Sequence, residues 1–363
     1  MDDNRCMETL RLIVDPGELE APATDAALTR AAAILRDGGL VALPTETVYG
    51  LGANALDREA VARIFAAKQR PSWDPIIVHI APLERMDAML DGLVEELPET
   101  ARKLINAFWP GPLTLLLPRM RAVPEAVTAG RPLVGVRMPS HPVALELIRR
   151  AGVPVAAPSA NLFGHTSPTT AEHVLADLGG RIEVVLDAGP TGYGLESTVL
   201  DPCQDPMIIY RPGAVTEDQI RAVAGPVEIH RESTLPAAVP REALPAPGVG
   251  LRHYAPRARL ILVEGPQAEL GERLAESAAE ERREQVGILL PADVEAPPEL
   301  AEYRVFAWGR WAAPEELARD LYAGLRALDA EGCTVILCPV PPERGIGAAI
   351  RDRLRKAAGK SAE

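Results

Sequence analysis

The sequence predicts an α/β protein of two units joined by a proline-rich stretch, and three observations carry that reading. From about residue 24 onward, short apolar runs alternate with segments whose apolar residues recur at helical spacing. Between Gly225 and Pro256 the pattern collapses into a stretch punctuated by Pro226, Pro236, Pro240, Pro245, Pro247 and Pro256, a composition that favours extended, semi-rigid chain. Beyond it the alternation resumes. A chain of 363 residues suits two domains, and at that length a core forms without disulfide or metal staples.

The elements follow in order. Thr24 or Asp25 is placed to cap a helix through Leu28, Ala32 and Leu35 that stops at Gly38-Gly39, and Leu40–Leu43 is a buried strand ended by Pro44. Asp57 caps a helix through Val61, Ile64 and Phe65 toward Lys68, and Ile76–Ile80 is the next strand. Further strands are expected at Leu113–Leu117, Leu133–Arg137, Val153–Ala157, Glu183–Leu186, Ser197–Leu200 and Met207–Tyr210, with helices at 98–108, 141–150, 170–178 and 216–223. Strands outnumber helices, which points to a mixed rather than purely parallel sheet. After the proline-rich stretch the pattern gives strands at Leu260–Val263, Val286–Leu290, 303–307 and Thr334–Leu337, with helices at 267–284, 314–330 and 346–357. That alternation suits a small doubly wound, Rossmann-like domain, although Gly345-Ile346-Gly347 lacks the third glycine of a dinucleotide fingerprint.

Composition excludes several classes. The net charge is −13 and aromatic residues make up 4%, which argues against a broad nucleic-acid-binding surface. No apolar run is long enough for a membrane helix, and the start Met1-Asp2-Asp3-Asn4-Arg5-Cys6 does not read as a signal peptide, so a cytoplasmic location is expected. Cys6, Cys203, Cys333 and Cys338 are scattered without zinc spacing, and the six histidines show no metal-ligand spacing either. P-loop, G-x-S-x-G and H-E-x-x-H motifs do not occur.

What remains is a set of polar residues where strands run into proline-bounded loops. Pro44–Gly52 places Thr45, Glu46 and Thr47 after a strand, suited either to cradling a ligand or to an ordinary turn. In Lys68-Gln69-Arg70-Pro71 the two cations either converge on a polyanion or form a solvated helix end, and Pro71 holds Arg70 extended. Arg137 closes the apolar strand Val134–Arg137, where a charge must be paired or must bind something. Ser159-Ala160-Asn161, with Ser167 beyond, is better suited to donating hydrogen bonds than to nucleophilic attack, since no base partners the serine. Ser197 and Arg211 repeat the pattern of hydroxyl and arginine at strand ends. Lys68, Arg70, Arg137 and Arg211 together suggest a site for a strongly anionic small molecule such as a nucleoside triphosphate.

These same stretches resemble the YrdC-type threonylcarbamoyl-adenylate synthases in their long, two-domain form. Pro44–Gly52, Lys68–His79, Trp109–Leu117, Val134–Pro139, Pro158–Thr169, Glu196–Leu200 and Arg211–Gly213 match in order, with K-x-R at Lys68–Arg70 and S-x-N at Ser159–Asn161. The match is dense over roughly residues 20–225, recurs at Arg252–Pro256 and is looser beyond. The resemblance implies a YrdC-like twisted mixed sheet with flanking helices and a large concave pocket over 20–225, a linker acting as lid over 226–256, and a Rossmann-like α/β/α domain over 257–360. It also implies synthesis of L-threonylcarbamoyl-AMP and pyrophosphate from L-threonine, bicarbonate or CO₂, and ATP. A downstream threonylcarbamoyl transferase complex then acts on the adenosine 3′ of the anticodon in tRNA, with no stable tRNA binding by this chain.

Carried over by position, Lys68, Arg70, Asp74, Leu133, Ser159, Asn161, Ser167, Arg211 and Tyr254 face ATP, and Thr47, His79, Arg137, Ala157 and Ser197 face threonine. Lys68 and Arg70 stabilise charge without a covalent nucleophile, and Mg²⁺ enters with ATP, held by the phosphates rather than by protein side chains. Tyr254 is expected to fold back over the nucleotide, while Leu133 and Ala157 act through the main chain. His79 is either a ligand residue or a satisfied core histidine. Two positions depart from the family: Asp74 stands where Asn is common, which places a carboxylate beside the triphosphate, and Leu133 stands where a hydroxyl is common. An RNA-binding module and a non-catalytic scaffold are the alternatives; the net charge opposes the first, and the intact Lys68, Arg70, Ser159 and Asn161 oppose the second.

Overall fold

The computed structural model describes residues 8–82, 90–230, 244–248 and 253–359. Cys6, Arg252, Pro236 and Pro240 lie outside the described residues, as does most of the stretch read as a lid. The chain divides into two compact units, one of Met1–Phe163, Pro168–Gly192 and Glu196–Val249, the other of Gly164–Ser167, Tyr193–Leu195 and Gly250–Glu363.

The first unit is built on strands β1 (Leu10–Ile13), β2 (Val41–Leu43), β3 (Gly50–Asn54), β4 (Ile77–His79), β5 (Leu113–Pro118), β6 (Leu133–Arg137), β7 (Val155–Ala156), β8 (Val184–Asp187), β9 (Thr198–Asp201), β10 (Met207–Arg211) and β11 (Val227–Ile229). They form one sheet in the order β1-β8-β2-β3-β7-β4-β6-β5-β9-β10-β11. The sheet is mixed, as expected: β4 runs parallel to β6, β5 antiparallel to β6 and parallel to β9.

Local chemistry sets the helix ends. Asp57 accepts from the N–H groups of Glu59 and Ala60 and starts helix Arg58–Lys68, which Gln69 ends in the left-handed region at φ 54°. The helix expected to start at Thr24 or Asp25 begins earlier, at Pro22, and runs to Arg36. Thr24 does not cap it, because its hydroxyl accepts instead from the Asp15 N–H at 3.1 Å.

Three strands were not visible as patterns. β1 precedes residue 20 and β11 lies inside the stretch read as linker, pairing with β10 through Met207↔Val227, so the sheet is longer at both chain ends than the 20–225 reading. β3 falls in what read as a glycine-flanked loop. Its glycines serve close packing, since a Cβ at Gly52 would lie 2.9 Å from both Leu43 Cδ2 and Val155 Cγ1.

The second unit holds β12 (Arg259–Val263), β13 (Val286–Leu290), β14 (Arg304–Ala307) and β15 (Val335–Pro339) in the order β12-β15-β13-β14, all parallel. Leu274, Ala278, Val286, Ile288, Val335 and Leu337 form its core. The helix expected over 267–284 is confined to Leu270–Ala279 between short 3₁₀ turns. Glu280 and Glu281 would otherwise sit in its last turn, where the helix dipole disfavours carboxylates. Among the described residues no helix is long and apolar enough to cross a membrane.

Replacing Gly52 by alanine forces a methyl against two fully buried side chains, and overpacking of this kind costs roughly 1–3 kcal/mol. Urea unfolding is expected to show that loss, and an unchanged midpoint would refute the close-packing account.

Candidate active site

Alternation along the central strands separates two chemistries. Val78, Leu113, Leu115, Leu117, Val134 and Val136 enter the large core on one side of the sheet. Their neighbours Ile77, His79, Thr114, Leu116, Gly135 and Arg137 turn to the other side. Over β8, β2 and β7 that second side is covered by helices Pro22–Arg36 and Pro142–Ala151, through Leu28, Leu35, Val143 and Leu147. Over β4, β5 and β9 the apolar cluster is small, consisting of Ile77, Leu116, Val199 and Ala246, the last from the described segment 244–248. Polar side chains gather around it.

Arg137 is buried at the end of β6. Its Nη1 donates to Thr47 Oγ1 at 3.0 Å and its Nε to the Gly111 carbonyl at 3.2 Å, while Nη2 forms an ion pair with Glu46 Oε1 at 2.7 Å. The charge in an apolar strand is thus paired, as the sequence required. His79 stands beside Arg137 in the parallel register of β4 and β6. Burial, then the charges of Arg137 and Arg211, push its pKa down to about 3, so the ring is neutral at physiological pH. Its Nδ1 has no hydrogen-bond partner among the described residues, so the ring retains unused hydrogen-bonding capacity.

Ser197 links this group to the next cation. Its hydroxyl lies 2.8 Å from Thr114 Oγ1 and accepts from Arg211 Nη2 at 3.1 Å, and its carbonyl accepts from Arg211 Nε at 3.0 Å.

Lys68 and Arg70 take different partners. The buried Lys68 ammonium donates to the carbonyls of Ser159, at 2.5 Å, and Asn161, which fixes the S-x-N loop against the helix end. Arg70 donates to the carbonyls of Asp74 and Pro75 at 3.1 and 2.7 Å and pairs with the Asp74 carboxylate at 3.0 Å. Burial raises the Asp74 pKa, opposed by Arg70, Lys68, the Gly248 N–H and Arg211. Asp74 thus pairs with Arg70 and lies within the electrostatic reach of Lys68 and Arg211. Ser159 is half-buried and bridges to Gly50, and the Asn161 amide donates to the Leu162 carbonyl at 2.8 Å. Leu133 packs against the Ile77 cluster. The Ala157 N–H is taken by the Ile77 carbonyl at 2.9 Å, so a main-chain contact there falls to the Ala157 carbonyl.

Two expected site residues belong to the other unit. Ser167 lies in Gly164–Ser167, and Tyr254 is buried among the second unit's side chains, 5.0 Å below the Arg353 guanidinium and 6.0 Å from the Tyr322 ring. Glu46 and Thr114 were missed as site residues. The signal for Thr114 was a single hydroxyl inside Leu113–Leu117, and for Glu46 an acid between two threonines at the end of a buried strand. Among the described residues no group of three or more His, Cys, Asp or Glu is arranged to hold a metal ion.

Comparison with known proteins agrees with this geometry. Residues 33–213 match the family model described as "Telomere recombination", and residues 215–359 the model described as "Threonylcarbamoyl-AMP synthase, C-terminal domain". The threonylcarbamoyl-AMP synthase of Bacillus subtilis is 45% identical over 97% of this chain and 99% of its own. The chain belongs to the threonylcarbamoyl-AMP synthase family. The Pyrococcus abyssi enzyme of the same name is also 45% identical, over 91% of this chain and 93% of its own. A crystal structure of Pyrococcus abyssi Sua5 complexed with L-threonine superposes with a TM-score of 0.86 at 42% identity, covering 96% of this chain and 98% of that one. The family is one of enzymes of the nucleotidyltransferase type, and its architecture, a YrdC-like domain followed by a smaller α/β domain, is the fold class expected from the sequence.

The depressed His79 pKa makes stability depend on pH. The unfolded chain takes up a proton below about 6.5, whereas the folded ring resists it until about 3, so stability is present above pH 6.5 and is lost as pH falls through that window. By pH 4.5 the loss from this group is about 2–3 kcal/mol. Comparing urea unfolding of the wild type and His79→Gln at pH 7 and 4.5 tests this, with a smaller pH effect expected in the variant. Equal pH effects would refute it.

Proposed function

We propose that this chain condenses L-threonine, bicarbonate or CO₂, and ATP into L-threonylcarbamoyl-AMP, releasing pyrophosphate. The observation that carries the reading is the presence of two different charge patterns in the first unit. Arg137, with Thr47 and His79 beside it, matches a single carboxylate, whereas Lys68, Arg70 and Arg211 around Asp74 match a polyphosphate. The patterns adjoin, since His79 feels the charges of both Arg137 and Arg211. The threonine complex of the Pyrococcus abyssi relative supports threonine as the amino acid.

In this reading the threonine α-ammonium gives up two protons as its nitrogen bonds to the carbon of CO₂, or one proton and a water as it bonds to the carbon of bicarbonate, and a carbamate results. A carbamate oxygen then attacks the α-phosphorus of ATP, and the bond to the β,γ-pyrophosphate breaks. No covalent enzyme intermediate is needed, so the protein's part is alignment and charge neutralisation. Arg137 forks onto the threonine carboxylate. Arg70, Lys68 and Arg211 neutralise phosphate charge, and the S-x-N loop held by Lys68 presents Ser159 and Asn161 to the nucleotide. The Arg70–Asp74 pair moderates the repulsion that a lone carboxylate would exert on the triphosphate. Magnesium enters as part of the substrate, MgATP, and supplies further charge neutralisation on the phosphates. We assign the product to a downstream transferase complex acting on tRNA in the cytoplasm, a tRNA which this acidic chain does not itself bind stably.

Pyrophosphate release from MgATP is expected to require both threonine and bicarbonate, with serine a poor substitute; release without threonine would refute the reading. Arg70→Ala is expected to lower kcat/KM for ATP by about 10²-fold or more, with circular dichroism and urea unfolding alongside to report the fold. Undiminished activity in that variant would remove Arg70 from the machinery.

A further inference from the structure

Glu46 has no task in the account above, yet its side chain is nine-tenths buried beside Arg137. Neither of its carboxylate oxygens accepts a hydrogen bond from a described residue, and Arg137 Nη2 donates none. The two groups approach to 2.7 Å as charges, without hydrogen-bond alignment. The loop holds Glu46 in place by its neighbours: Thr45 Oγ1 donates to the Val48 carbonyl at 2.6 Å and lies 2.8 Å from Thr47 Oγ1, which accepts from Arg137. His141 also feels the Glu46 charge, but its Nδ1 is occupied by the Val143 N–H at 3.3 Å.

A buried carboxylate and a buried guanidinium that leave hydrogen-bonding capacity unused are costly unless a ligand completes them. The ligand that completes both carries one anion and one cation a few ångströms apart, which describes the zwitterion of an α-amino acid. We propose that Glu46 holds the α-ammonium group of the amino-acid substrate while Arg137 takes its carboxylate. The inference rests on the threonine reading above and adds to it the group that recognises the amine. The Glu46–Arg137 pair is neutral in sum, and a zwitterion entering between its members adds no net charge to the buried site. A hydroxy acid or simple carboxylate of the same shape brings an anion alone and is rejected.

The test measures binding of L-threonine and of 3-hydroxybutyrate, which is threonine without its amine, by titration calorimetry. Wild type, Glu46→Gln and Glu46→Asp are compared, with ATP binding measured alongside to report the fold. The wild type is expected to favour threonine by about 10-fold or more, the scale of a charge-assisted hydrogen bond. Glu46→Gln is expected to lose most of that preference by weakening threonine alone, and Glu46→Asp to keep part of it. Equal weakening of both ligands in Glu46→Gln would overturn the proposal, because Glu46 would then merely prop Arg137. A wild type that binds the two ligands equally would overturn it too, whether or not the glutamine variant folds. A wild type that binds no threonine would overturn the threonine reading as well.

Discussion

Burial of positive charge is the constraint on which the first unit depends. Lys68, Arg70, Arg137 and Arg211 are all withdrawn from water, and each would cost several kcal/mol if left uncompensated. The compensation is uneven in kind. Lys68 is satisfied by main-chain carbonyls, Arg211 by one serine, and Arg70 and Arg137 by carboxylates that are themselves buried. Carbonyl dipoles leave the charge itself in place, whereas a carboxylate offsets it: Glu46 does so for Arg137 and Asp74 for Arg70, and the Asp74 charge also acts on Lys68 and Arg211, within a chain whose net charge is −13.

The sheet makes that distribution possible. Because β4, β5 and β6 alternate strictly, each core residue is followed by one that faces away from the core, so the strands that build the hydrophobic interior also present His79, Thr114 and Arg137. Gly135 sits between them, and a Cβ there would lie 3.4 Å from Thr114 Cγ2. The rigidity of a packed interior is thereby lent to the polar groups, which is what positioning without covalent catalysis needs.

Much of this was legible in the residues, and for reasons that can be named. Asp57 before an apolar helical run, Arg137 closing an apolar strand, and the two cations of Lys68-Gln69-Arg70 each announce a local physical problem that the fold solves nearby. β3 escaped because Gly50 and Gly52 carry no side chain, so close packing against Leu43 and Val155 leaves no apolar pattern to see. β11 escaped because three residues among prolines offer too little period. Glu46 escaped because its meaning lies in the distance to Arg137, which is 91 residues away in sequence and 2.7 Å away in space. The grouping of Ser167 with the second unit likewise follows from long-range pairing, such as the bridge between His165 and Ala255.

β11 has a consequence for how the chain can be divided. The family models meet between residues 213 and 215, yet the strand that borders β10 comes afterward, at Val227–Ile229. A fragment cut at that seam would keep every cation of the face but would leave β10 with a bare row of amides and carbonyls. Such an edge invites pairing with a second molecule. The evolutionary seam and the mechanical seam of this protein do not coincide, and the stretch between them works as a hem that keeps the sheet from fraying into its neighbours.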